Sequence, residues 1–184
     1  MRSMTLLLGL IAVLLSSGCA LNLNSVESVS TASQLGMDRA IVVYGVAVEE
    51  NWGAPRFSVA LDEYSVTQQK ITGNCWRFNR MEASIPGTPG PIQYFAFEVP
   101  PGHFAYSGFS GAPLEGTPVA FVVPKNKIVY VGVFIYTQER KVILQRDFAA
   151  ERSRISDALP EIKGHLVLAE SLPVRSPGMF MCGP

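Results

Sequence analysis

Residues 119–136 read VAFVVPKNKIVYVGVFIY, two apolar runs rich in β-branched and aromatic residues, split by four polar or turn-forming ones. Such runs suit pleated surfaces, where branched side chains pack against cross-strand neighbours. Val119–Val123 and Ile128–Tyr136 are therefore expected as two strands of a hairpin, turned by Pro124-Lys125-Asn126-Lys127 with Asn126 as the left-handed residue. The chain upstream and downstream repeats the pattern of short apolar runs and turn residues.

Ala40–Val48 is almost entirely small or β-branched, as in a strand buried on both faces. Phe57, Val59 and Leu61 alternate with Ser58, Ala60 and Asp62, which is the period of a half-buried strand. Cys75–Asn79 is a shorter candidate. Ile92–Val99 is another strand, and Pro100-Pro101-Gly102 then sets a turn, with proline fixing φ and glycine accepting φ > 0. His103–Ser107 is expected to run back beside it, and Lys141–Arg146 and His165–Ala169 add two short strands. The single helical pattern starts at Asp147 as N-cap. It places Phe148, Arg152, Ile155 and Leu159 on one face and stops at Pro160. The 16 glycines and 13 prolines fall mostly between the apolar runs, which favours many turns over long helices. The expected fold is mainly β, an antiparallel β-sandwich of about seven or eight strands with one short C-terminal helix.

The N-terminus reads differently. Arg2 supplies a positive charge, Leu6–Leu15 an apolar stretch, and Ser16-Ser17-Gly18 small residues before Cys19. Ten residues are too few to cross a bilayer, which takes about 20. The order resembles the signal peptide of bacterial lipoproteins, whose lipobox puts a small residue and then cysteine at the cut; Ser17, Gly18 and Cys19 match. This chain has Ser16 where the family usually carries leucine, with Leu15 one place earlier. The resemblance implies cleavage by signal peptidase II and acylation, such as palmitoylation, of Cys19. Ala20, rather than aspartate, stands after the cysteine, which in that family goes with export to the outer membrane. The protein is then expected in the cell envelope, facing the periplasm. Two or more acyl chains hold a protein far more firmly than one. The expected organisation is a signal over 1–18, a lipidated cysteine and flexible tether over 19–36, and a single domain over 37–184. The Ser- and Asn-rich stretch Leu21–Ser33 would span roughly 20 Å as a flexible chain.

Tyr94–Tyr136 also resembles a recurring arrangement in envelope domains of the PEGA-like and prealbumin-like sandwich kind. The matching residues are Phe97-Glu98-Val99-Pro100-Pro101-Gly102-His103-Phe104 and Ile128-Val129-Tyr130-Val131-Gly132. That likeness implies a sandwich and carries over no catalytic residue.

Net charge is zero, and no basic face or stripe of the kind that binds nucleic acid is present. With Cys19 acylated, Cys75 and Cys182 remain as a disulfide candidate in an oxidising compartment; the alternative is a buried Cys75 thiol beside Trp76. Gly108-Phe109-Ser110-Gly111-Ala112 approximates the nucleophile elbow of hydrolases, with Asp147 or Asp157 and then His165 in the matching order. Pro113, Gly116 and Pro118 break the helix that such an elbow needs, so a glycine-rich loop is the preferred reading and a Ser110 hydrolase the alternative. His103 and His165 have no metal-ligand spacing, and no cofactor motif occurs. Glu49-Glu50 and Asp62-Glu63 are expected as solvated charges at strand ends. The aromatics Tyr94, Phe95, Phe97, Phe104, Tyr106 and Phe109 crowd around the Pro-Pro-Gly turn; most should fill the core, with Tyr94, Tyr106 and the loop residue Trp52 as binding candidates. The functional expectation is a non-catalytic, membrane-anchored binding or accessory module with an envelope-protein or cell-wall partner.

Overall fold

The computed structural model describes residues 25–26, 38–73 and 79–178. Strands β1 (Ser25–Val26), β2 (Ala40–Val48), β3 (Arg56–Ser65), β4 (Lys70–Ile71), β5 (Arg80–Pro86), β6 (Gln93–Val99), β7 (Gly102–Tyr106), β8 (Val119–Val123), β9 (Ile128–Tyr136) and β10 (Val142–Gln145) precede helix α1 (Phe148–Ala158). Strands β11 (Leu166–Leu168) and β12 (Ser171–Pro173) follow it. One sheet has the order β1-β5-β3-β7-β8-β12 with β4 on β3; the other has β10-β9-β2-β6 with β11 on β9. The sequence-based expectation of a mainly β sandwich with one short helix agrees with this architecture.

The inner faces meet in one aromatic core. Tyr44 stacks on Phe97 at 5.3 Å and meets the edge of Phe134 at 5.7 Å, while Phe57 stacks on Tyr136 at 4.3 Å. Stacked and edge-on pairs of this kind add to the area term of burial. The outer face of the second sheet is buried too. Ile41, Val43, Ile128, Tyr130 and Ile135 pack there against Ile155 and Phe148 of α1. Asp147 caps that helix, its side chain accepting from the Ala150 N–H at 3.1 Å. Of the expected helical stripe, Ile155 is buried and Phe148 and Leu159 partly so, but Arg152 is exposed and Glu151 takes the inward place. A sheet covered on both sides explains why β2 and β9 lack polar alternation.

Several connections depart from the sequence reading. β8 pairs with β7 and β12, whereas β9 pairs with β2, β10 and β11. Pro124–Lys127 is therefore an arch between the sheets and not a hairpin turn, although Asn126 is left-handed (φ 57) as expected. The Pro100-Pro101 turn does the same: β6 joins β2 and β7 joins β3 and β8. Turn residues fix a chain reversal, but not whether the strands then meet edge to edge or face to face. The central β2–β9 pair is parallel, with Ile41 opposite Ile128 and Val48 opposite Tyr136, so the second sheet is mixed where an antiparallel one was expected. Ser25–Val26, inside the stretch read as a tether, pairs in parallel with Arg80 and Met81. The signal segment, Cys19, the rest of the tether, Cys75, Cys182 and most of the Cys75–Asn79 strand lie outside the described residues.

The far edge of β9 is shared: β11 takes its first half and β10 its second. Gly132 stands at the hand-over with φ 145, and a Cβ there would come within 2.6 Å of the Gln145 carbonyl oxygen. Arg146 fills the seam. Its Nε donates to Val131 O at 2.9 Å, Nη1 to Ser171 Oγ at 3.0 Å and Nη2 to Ala169 O, and the guanidinium lies over Phe121. Burial lowers the pKa of this arginine from its usual range.

Candidate functional site

The longest connection lying wholly within the described residues joins β7 to β8 over residues 107–118, and it is fastened at short intervals. Ser107 N donates to Ala60 O at 2.8 Å, and the Ala60 N–H donates to Ser110 Oγ at 3.0 Å. The Ser110 hydroxyl returns a bond to Ala60 O at 3.3 Å, so it behaves like a strand partner of β3. The Tyr136 hydroxyl sits 2.7 Å from both Ser58 O and Ser110 O, and Tyr106 donates to Ala112 O at 2.8 Å. Further along, Pro113 O accepts from Val142 N and Glu115 N donates to Val142 O. Gly111 and Gly116 adopt φ of 78 and 92, which the bends between these bonds require.

Beneath the loop lies a charge network that the sequence reading missed. Arg80 grips Asp62 with two bonds, Nε to Oδ1 at 2.6 Å and Nη2 to Oδ2 at 3.0 Å. Ser107 Oγ donates to Asp62 Oδ2 at 2.5 Å and accepts from Phe109 N at 3.2 Å. Asp62 is wholly buried, which corrects its expected place as a solvated charge at a strand end. Strand β3 continues to Ser65, and the loop closes over the aspartate. A charge taken out of water needs such a partner set. The only hint in the sequence is an acid inside an otherwise apolar alternating run. Above the network, Phe109 is 45% exposed, with the Arg80 guanidinium 4.7 Å from its ring centroid.

The loop and the chain beyond β12 enclose a cavity of about 450 Å³. Tyr106, Ala112, Pro113, Leu114 and Val119 form one side, and Ser176 and Pro177 the other. Val174 N donates to Pro118 O at 3.0 Å, and Arg175 is held by Gln69 Oε1 and the Tyr64 hydroxyl, which fixes that second wall. The volume lies in the range of small-ligand pockets, which are mostly apolar with a few polar groups. Burial pushes the Tyr106 phenol up to about 12, with the Ser110 and Tyr136 hydroxyls pulling the other way. It therefore stays protonated at neutral pH and acts as a donor.

The three proposed binding aromatics are not brought together. Tyr106 lines the cavity. Tyr94 lies on the helix side, in an open groove of about 510 Å³ with Ile92, Arg154 and Asp157. Its hydroxyl bonds Glu151, which also pairs with Arg154 at 2.9 Å; burial, and then the Glu151 contact, raise its pKa. Trp52 packs edge-on against Phe57 and Tyr136 and donates from Nε1 to Thr137 O at 2.9 Å, so it caps one end of the core. Phe95 and Phe97 face the inter-sheet core and Tyr94 the other side, as strand alternation requires. Ser110 is 1% exposed, and its hydroxyl bonds go to the Ala60 backbone. His165 is exposed ahead of β11 and His103 lies on β7 opposite Val122. Among the described residues, no three of His, Cys, Asp and Glu converge as metal ligands. No family model, curated protein or solved structure matches the chain.

Proposed function

We propose that this protein is an envelope lipoprotein, acylated on Cys19 and held at the outer membrane facing the periplasm. In this reading its sandwich domain is a non-catalytic module that binds an envelope protein or cell-wall component through the cavity beside Tyr106. The observation that carries the binding reading is the cavity itself, walled by the fastened 107–118 loop, which also carries the exposed ring of Phe109. A largely apolar concavity with an aromatic side chain in its lining is the usual form of a recognition site. The hydrolase alternative is weakened by the position of Ser110, whose hydroxyl serves the backbone of β3. The anchor rests on the Ser17-Gly18-Cys19 motif.

Two measurements test this. Intact-mass analysis of protein from its native cell should find Cys19 as the first residue, carrying acyl chains; a retained leader or an unacylated start overturns the anchor. A photo-cross-linking residue in place of Phe109 should capture one stoichiometric partner or peptidoglycan in intact cells, and Ala112→Leu, which fills the cavity, should abolish that capture. Equal capture from Asn126, at the far end of β8, overturns the binding site.

A further inference from the structure

The lining of the cavity beside Tyr106 restricts what can occupy it. Ala112, Pro113, Leu114, Pro118, Val119 and Pro177 present apolar surface, and the three prolines carry no backbone N–H. The carbonyls of this wall already have donors. Ala112 O takes the Tyr106 O–H, Pro113 O the Val142 N–H and Pro118 O the Val174 N–H. Among the described lining residues, Ser176 is the only hydroxyl besides that phenol, and none has an acidic, basic or imidazole side chain. A saccharide brings a hydroxyl on most of its carbons, and a cell-wall peptide brings charges; both would lose water here without gaining partners. Hydrocarbon suffers no such loss.

Size narrows the choice. A dry apolar cavity of about 150 Å³ holds one benzene ring, whereas this one is about 450 Å³. A single inserted side chain would leave most of that space empty and forfeit contact with the walls. We infer that the cavity takes one straight hydrocarbon chain of a lipid, with the polar head group left in water at the mouth. The inference rests on the binding site proposed above and specifies what enters it.

The test is a calorimetric titration of the full chain, carrying Cys19→Ser to keep its own acyl groups out of the measurement, with straight-chain alcohols from hexanol to decanol. One alcohol should bind per protein, and affinity should rise about fourfold with each added methylene, as full burial of that group requires. Ala112→Leu, which fills the cavity, and Leu114→Gln, which adds an amide to its wall, should each weaken decanol binding at least tenfold. Circular dichroism checks that each variant keeps its fold. An affinity that does not grow with chain length overturns the inference. So does chitotetraose or N-acetylphenylalanine amide binding as tightly as decanol. The two readings fail separately. Capture of a partner at Phe109 without alcohol binding keeps the site and overturns the hydrocarbon inference, whereas alcohol binding with nothing captured upholds the inference and overturns the protein or cell-wall partner.

Discussion

The parallel pair at the centre of the second sheet and the 107–118 loop are both tied into the core, yet different forces hold them. β2 and β9 are buried along their whole length by apolar side chains on both faces. The loop is held by hydroxyls and carbonyls: Ser107, Ser110, Tyr106 and Tyr136 each satisfy a backbone group or a buried charge. Area burial is non-directional and tolerates small adjustments. A buried polar contact loses its value if one partner is removed, because the other is left without water or protein to bond. The loop should therefore be the more brittle of the two.

The largest effect should come from splitting the ion pair beneath the loop. Arg80→Ala is expected to cost about 3–5 kcal/mol in denaturant unfolding, whereas Asp62→Leu combined with Arg80→Met should recover most of that loss. A single-variant cost below about 1 kcal/mol would break the comparison. The next largest is a pH effect on three phenols buried in the core, two of which fasten the loop. Tyr44, Tyr106 and Tyr136 have phenols raised by burial, Tyr106 to about 12. Their protonated forms are favoured in the folded state, so their contribution is complete below about pH 10, the unfolded value. It is lost as pH rises towards the folded values, by roughly 1.4 kcal/mol per pH unit for each phenol. Unfolding midpoints followed from pH 8 to 12 alongside phenolate absorbance check this; a stability flat to pH 12 contradicts it.

Ser110→Ala should cost about 1–2 kcal/mol, since it leaves the Ala60 N–H unsatisfied in a buried position. The smallest effect sharpens the contrast from the other side. The Tyr130 hydroxyl, between the second sheet and α1, is buried with no hydrogen-bond partner among the described residues. Tyr130→Phe should thus be neutral or stabilising by up to about 1 kcal/mol in the same assay. A loss above 1 kcal/mol would show that this hydroxyl has a partner.

Legibility in the sequence follows the same division. The strands of β2, β3 and β9, the Asp147 cap and the left-handed Asn126 could be read because each depends on a few neighbouring residues. The arches at Pro100-Pro101 and Pro124–Lys127 could not, since strand pairing is decided by partners far along the chain. The parallel match of Ile41 with Ile128 has no local signature. The site was half legible. Tyr106 and the glycine-rich loop were singled out for their composition, but Asp62 was misjudged because the loop that buries it comes some forty residues later. Trp52 behaved as a core cap because Phe57 and the Thr137 carbonyl both meet it.

The pairing of β2 with β9 also bears on how the chain reaches this shape. β2 has β6 on one side, but its other edge stays open until residues near 128 have been made. Closing so distant a contact is entropically costly and slow. A nascent chain lacking β9 therefore holds a nine-residue apolar strand with one edge unpaired and has no complete nucleus. Such an intermediate invites chaperone capture or aggregation until synthesis passes Tyr136.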